Sequence, residues 1–189
     1  KTGYTTATNT AINNTGAAVT NANKALVTAA TAATVSGTVR TINSSNVTAL
    51  ASGATVVAYR GSVSTDTVTT TTDANGAYSL SLPAGTYTLG FSLTGTVSQY
   101  LGNVATLAAG TTFDIASAGT STRDATLTLQ GTLAGTTSPA GVTVVVRKTT
   151  GGQVATTTSD GTTGTYSIPN IDPGSYSVSF SKTNFITEY

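Results

Sequence analysis

Histidine, cysteine, methionine and tryptophan do not occur in this sequence. Without cysteine there is no disulfide and no thiolate nucleophile. Without histidine the commonest general base and metal ligand is missing, and a Ser/His/Asp triad cannot be assembled. Charge is scarce as well. Only 8% of residues are charged, against roughly 25% in an ordinary soluble domain. The formal net charge is +1 with no basic cluster, so nucleic acid has no electrostatic footing. No apolar run reaches the length of a membrane span. The acids are Asp66, Asp73, Asp114, Asp124, Asp160, Asp172 and Glu188. No pair has a spacing that sets two carboxylates across one cleft, as glycoside hydrolysis requires. An enzyme is therefore not expected, and neither a cofactor nor a metal is expected. The first residue is Lys1 rather than Met, which reads as a mature or trimmed chain.

What is present is threonine, about a quarter of the chain, with abundant Ala and 20 Gly. Thr and Val favour strands and Gly punctuates them. From Gly76 to Leu89, Tyr78, Leu80 and Leu82 alternate with small or polar residues. Pro83-Ala84-Gly85 then turns the chain, and Tyr87, Leu89 and Phe91 alternate again. Period-two patterning broken by a Pro/Gly turn predicts a hairpin. The layout recurs from Thr165 to Phe180, so the chain contains an internal repeat. The same parity predicts an inward-facing core of Val39, Val56, Ala58, Tyr78, Leu80, Leu82, Tyr87, Leu89 and Phe91. In the second copy it predicts Val144, Val146, Tyr166, Ile168, Tyr176, Val178 and Phe180.

The expected organisation is all-β, with two tandem Greek-key β-sandwich domains. Residues 1–27 are an N-terminal segment, 28–33 a short connector, 34–128 the first sandwich, and 129–189 a second sandwich lacking its final strands. Ala17–Ala33 is Ala-rich and compatible with a helix, but its Thr, Val and Asn are poor helix formers and favour strand. Thr41–Ser52 reads as a polar loop. Leu129-Gln130-Gly131-Thr132-Leu133 pairs with Val35-Ser36-Gly37-Thr38-Val39, and Ala140–Val146 pairs with Ser52–Ala58. Ser159-Asp160-Gly161 stands where Asp73-Ala74-Asn75-Gly76 stood. The last strand of the first copy runs almost directly into the first strand of the second, a stiff junction.

Four stretches carry a family resemblance: Ser36-Gly37-Thr38-Val39, Gly53-Ala54-Thr55-Val56, Thr72–Tyr78 and Leu82–Leu89, with their second copies. In these the chain resembles the carboxypeptidase regulatory-like family. That family is a transthyretin-like β-sandwich related to the B-type (CnaB-like) repeats of bacterial collagen-binding adhesins. The resemblance implies a sandwich fold and a role as stalk, spacer or binding accessory. Many of the adhesin repeats carry a Lys–Asn isopeptide bond. Neither opening strand here contains Lys, so that bond is not expected within either domain.

Three Asn-x-Ser/Thr acceptors occur, at Asn13, Asn43 and Asn46, making glycans candidate partners. Asp73-Ala74-Asn75-Gly76 offers oxygen ligands but reads as a plain turn. The opening Lys1-Thr2-Gly3-Tyr4 is similar to the element that follows the repeat hairpin, Lys182-Thr183-Asn184-Phe185. Residues 5–26 then echo the closing strands of the first copy, with Gly16, Val19 and Leu26 standing for Gly110, Phe113 and Leu127. A sandwich without its closing strands exposes core and unpaired edges. The expectation is a secreted, cell-surface structural subunit polymerising with copies of itself. Residues 5–26 of one copy would complete the second domain of the next, with Tyr4, Ile12, Val19 and Leu26 as contacts. Two alternatives remain: a stalk repeat of a longer adhesin, and, less favoured in a chain without Trp, a carbohydrate-binding module.

Overall fold

The computed structural model describes residues 32–61, 65–116 and 118–186. Among them the protein is all-β, with one short 3-10 turn at Leu107–Ala109. The strands are β1 (Ala33–Ile42), β2 (Thr48–Leu50), β3 (Thr55–Arg60), β4 (Thr67–Thr71), β5 (Ala77–Leu82), β6 (Gly85–Ser92), β7 (Gln99–Tyr100), β8 (Phe113–Ile115), β9 (Thr120–Thr122) and β10 (Ala125–Thr128). They are followed by β11 (Gly131–Thr136), β12 (Thr143–Lys148), β13 (Gln153–Thr158), β14 (Thr165–Ile171) and β15 (Tyr176–Ser181).

The first sandwich is centred on β1. On one side β1 pairs with β5 and β2, both antiparallel; on the other it pairs with β9 and β10, both parallel. The facing sheet runs β4-β3-β6, with β7 and β8 both on the outer edge of β6. Alternation does the sorting. In β5 the burial runs strictly in and out, with Tyr78, Leu80 and Leu82 buried. Val35, Val39, Val56, Ala58, Tyr87, Leu89, Phe91 and Leu127 belong to the same core. The second sandwich has β11 with β14 in one sheet and β13-β12-β15 in the other. Its buried centre is Val144, Val146, Ile168 and Ile171.

Three sequence-based expectations need correction. The first is the hairpin. Strand β5 pairs with β1 and β6 pairs with β3, so the Pro83–Gly85 turn is an arch that carries the chain from one sheet to the other. Likewise β14 pairs with β11 and β15 with β12. A same-sheet hairpin and a sheet-crossing arch share alternation and a turn, so the pattern does not separate them. In the arch the two inner faces oppose each other, and Tyr78 meets Phe91 edge-on at 6.2 Å. Tyr166 and Phe180 repeat that contact at 6.0 Å. Each arch is pinned by a hydroxyl: Tyr87 donates to the Pro83 carbonyl (3.0 Å) and Tyr176 to that of Asp172 (2.7 Å).

The second correction concerns Thr41–Ser52, which is not all loop. Strand β1 extends to Ile42, and β2 returns along it. The third concerns the alignment of the two opening strands. Gly37 lies opposite Tyr78, and Gly135, not Gly131, lies opposite Tyr166. The Val39 N–H donates to the Gly76 carbonyl at 2.8 Å, and the Thr137 N–H donates to that of Gly164 at 2.9 Å. Thr132–Thr136 is therefore the counterpart of Thr34–Thr38, and the sequence pairing is displaced by four residues. The β2 excursion then makes the two copies differ in length. Between the matched points the first domain has fourteen residues, 40–53, and the second has four, 138–141, a ten-residue difference. The later pairing of Val142 with Ala54 is correct: the buried backbone there is satisfied by the Thr72 hydroxyl in one domain and by the Ser159 hydroxyl in the other.

Candidate functional site

The two sandwiches are built alike but covered differently. In the first domain the inner row of β6, Tyr87, Leu89 and Phe91, is at most 2% exposed. In the second, the matching row Tyr176, Val178 and Phe180 is only half-buried. Tyr78 is buried, whereas its counterpart Tyr166 is half-buried. Val35 is fully buried, whereas its counterpart Leu133 is half-buried.

Strand pairing explains the difference. In the first domain β7 and β8 cover the outer edge of β6, and β9 and β10 cover the outer edge of β1. Among the described residues, β15 is paired only with β12, and β11 only with β14. The trough between those two edges holds two clefts. One, of about 620 Å³, is lined by Thr136, Pro139, Val142, Phe180 and Phe185. The other, of about 560 Å³, faces the first domain and is lined by Leu133, Val146, Ile171, Tyr176 and Val178.

The first domain shows what occupies this place when it is filled. Strand β9 runs beside β1 from Thr34 to Ser36. The Arg123 N–H then donates to the Ser36 carbonyl (2.8 Å). The Tyr78 hydroxyl donates to the Arg123 carbonyl (2.5 Å), and the Thr38 N–H donates to Asp124 Oδ1 (2.7 Å). Burial, followed by the nearby Asp124 carboxylate, pushes the Tyr78 phenol well above its ordinary range, which keeps it a donor. Beyond this point Ala125 and Leu127 enter the core beside Val39 and Thr41. Carried to the second domain, the same edge groups are the Ala134 carbonyl, the Thr136 N–H and the Tyr166 hydroxyl.

Charge is sparse at the trough. The Lys182 ammonium donates to the Ala140 carbonyl (2.5 Å) beside the Phe185 ring. Asp172 accepts from Gln130 Nε2 (2.9 Å) at the opposite end. Among the described residues no cluster of acids forms a metal site. Asp73 Oδ1 accepts from the Asn75 and Ala77 N–H groups, which makes it a turn-former. Asp160 does the same for Thr162 and Thr163, and the Thr163 N–H, then that of Thr162, holds its carboxyl below the usual range. Chemically the trough offers main-chain donors and acceptors along two edges with an apolar floor between them. Those are the requirements of an added β-strand.

Of the sequence-derived candidates, Asn43 and Asn46 sit in the β1–β2 turn. Asn43 Oδ1 accepts from the Ser45 and Val47 N–H groups (3.0 and 2.9 Å), and Asn46 is exposed with φ of 60°. Asn13, Tyr4, Ile12, Val19 and Leu26 lie outside the described residues, as do 1–27 and most of the 28–33 connector. Tyr100, which has no inward place in the strand pattern, packs beside Tyr59 at 5.8 Å over Gly90. Parity marks Tyr78 as core and carries no sign of its hydroxyl bond to the Arg123 carbonyl, which only the fold shows. No described helix is long and apolar enough to cross a membrane, which says nothing of a β-barrel.

Comparison with known proteins bears on the fold. The model of the second β-sandwich domain of BOS complex subunit NOMO1-like proteins matches residues 126–188. No curated protein matches the chain in sequence. Among solved structures, the Bacillus anthracis TIE protein is 14% identical over 82% of this chain and 30% of its own, with a TM-score of 0.39. The Streptococcal ancillary pilin is 17% identical over 83% of this chain and 58% of its own, with a TM-score of 0.43. A DUF3823 family protein from Parabacteroides merdae is 12% identical over 74% of this chain and 80% of its own, with a TM-score of 0.34. The chain thus spans 30% and 58% of the lengths of the first two.

Proposed function

We propose that the protein is a structural subunit of an extracellular filament or cell-surface fibre, assembled head to tail by strand donation. The observation that carries this reading is the inner face of the second domain, half-buried and closed by no further strand among the described residues, beside a first domain in which the same face is closed by four further strands. Residues 5–26 of another copy are the occupant, because their order of turn and apolar positions is similar to that of Val97–Leu127, the stretch that closes the first domain. A heterologous contact of this kind does not close on itself and generates a fibre. Low charge, a hydroxyl-rich surface and the absence of Cys, His and Met fit an exposed extracellular role.

The test is a deletion of residues 1–27. The full chain is expected to form fibres in negative-stain electron microscopy. The deleted chain is expected to stay monomeric in sedimentation and to bind added 1–27 peptide. Fibres from the deleted chain would defeat the reading. A native polypeptide several times longer than this one would favour a covalent stalk, in which successive repeats supply the strand. Glycans belong to the same proposal. Mass spectrometry of the native protein is expected to find a glycan at Asn46, whose turn is exposed. Unmodified peptides covering Asn13, Asn43 and Asn46 would remove that part.

A further inference from the structure

Strand donation leaves direction and register open. The covered domain supplies a template for both, because its closing strand is held at points whose counterparts in the second domain can be named. We infer that the donated strand runs parallel to β11, that its main-chain carbonyl at Ala22 accepts the Tyr166 hydroxyl, and that Leu26 fills the cleft of about 620 Å³. This rests on the reading just given and adds its geometry.

Direction comes first. Both strands on the outer edge of β1 are parallel to it, with Thr34–Ser36 against Thr120–Thr122 and Val39–Ile42 against Ala125–Thr128. Gly37 and Gly135 occupy the same place under a tyrosine ring. A Cβ at Gly135 would meet Tyr166 Oη at 2.7 Å, so the hydroxyl lies over the β11 edge, as that of Tyr78 lies over the β1 edge. In the first domain that hydroxyl marks the carbonyl of Arg123, and Leu127 follows four residues later, beside Thr41. Thr41 lies two residues past Val39, whose counterpart is Thr137. Thr137 itself lines the cleft, so a strand that continues parallel past the end of β11 brings its residue in the place of Leu127 to the cleft.

Register follows. With Leu26 in the place of Leu127, Ala22 takes the place of Arg123 and Asn23 that of Asp124. Asn23 retains a side-chain oxygen able to accept from the Thr136 N–H, the bond Asp124 makes with Thr38. Lys24 takes the place of Ala125, and its long stem can carry the ammonium out to water.

The absence of native cysteine makes the test specific. In the full chain, Asn23→Cys with Thr136→Cys should, on mild oxidation, give a ladder of covalent multimers on a denaturing gel. Thr10→Cys with Thr136→Cys should give none. Tyr166→Phe should raise the concentration at which fibres appear by about 3–10-fold, the worth of one hydrogen bond. It should leave the unfolding midpoint of the unassembled chain in place, a readout that a hydroxyl bond made within the chain's own domain would move. A ladder from the Thr10 pair alone reverses the register and overturns the inference while strand donation stands. Equal assembly of Tyr166→Phe and the parent removes the latch. A cross-linked monomer without multimers places the segment within its own chain, and failure of the parent chain to assemble defeats the underlying reading itself.

Discussion

Leu89→Ala should destabilise the first domain by about 2–5 kcal/mol, the range for a buried leucine replaced by alanine. Leu89 is fully buried, opposite Ala58 on β3 and in the same inner row as Tyr87 and Phe91. For a domain of this size each kcal/mol moves the midpoint by about 4–8 °C, so the shift is at least about 8 °C. Val178 holds the matching place opposite Val146 but is half-buried. Val178→Ala in the unassembled chain should cost less than about 1 kcal/mol, since part of its surface is already in water. Scanning calorimetry of both variants measures the contrast. A cost for Leu89→Ala below about 0.5 kcal/mol would mean that the inner face has been misassigned. Equal costs at the two positions would mean that the second domain is covered after all.

The largest effect in the second pair is expected at Gly37. A Cβ there would overlap the carbonyl oxygen of Arg123, a main-chain atom, and would stand 2.9 Å from the Tyr78 ring. Backbone cannot swing aside as a side chain can. The stretch joining β9 to β10 would have to move, taking with it the Tyr78–Arg123 and Thr38–Asp124 hydrogen bonds. Gly37→Ala should therefore cost about 3 kcal/mol or more, at the upper end for overpacking. At Gly135 the nearest atoms all belong to the Tyr166 side chain. Gly135→Ala should change the stability of the unassembled chain by less than about 1 kcal/mol, and a strand prefers Ala to Gly. The same methyl would block a strand seated on that edge, so fibre formation should fail. Urea melts paired with electron microscopy read both outcomes. A Gly135→Ala chain that assembles like the parent would show that no backbone approaches that edge.

The sequence reveals the identity of the core more readily than its pairing. Val39, Val56, Ala58, Tyr78, Leu80, Leu82, Tyr87, Leu89 and Phe91 are all buried where parity places them, as are Val144, Val146 and Ile168. Parity says which face is inward but not which strand lies alongside, and so Gly76–Leu89 reads equally as hairpin or arch. The four-residue slip has a different origin. Two Gly-Thr pairs stand four residues apart in the second copy, Gly131-Thr132 and Gly135-Thr136, and with equal parity either satisfies the pattern. The register against Tyr78 and Tyr166, with the hydrogen bonds from Val39 and Thr137 to the two glycine turns, decides between them. The half-burial of Tyr166, Tyr176, Val178 and Phe180 depends on what lies beyond the strand, which no local pattern records.

The parallel pairing of β1 with β10 also determines how the first domain answers tension. These are its first and last strands, side by side and pointing the same way. A pull that enters ahead of Ala33 and leaves after Thr128 draws them in opposite senses along their common axis. The ladder is then loaded in shear, so its bonds must yield together rather than one after another from an end. The load passes onward without a slack tether. Only Leu129 and Gln130 separate β10 from β11, and their N–H groups are fastened to Ile42 and Gly95 (both 2.9 Å). A strand seated parallel to β11 would extend the same shear geometry across the joint, making each connection along a fibre a mechanical clamp of the same kind as the domain it links.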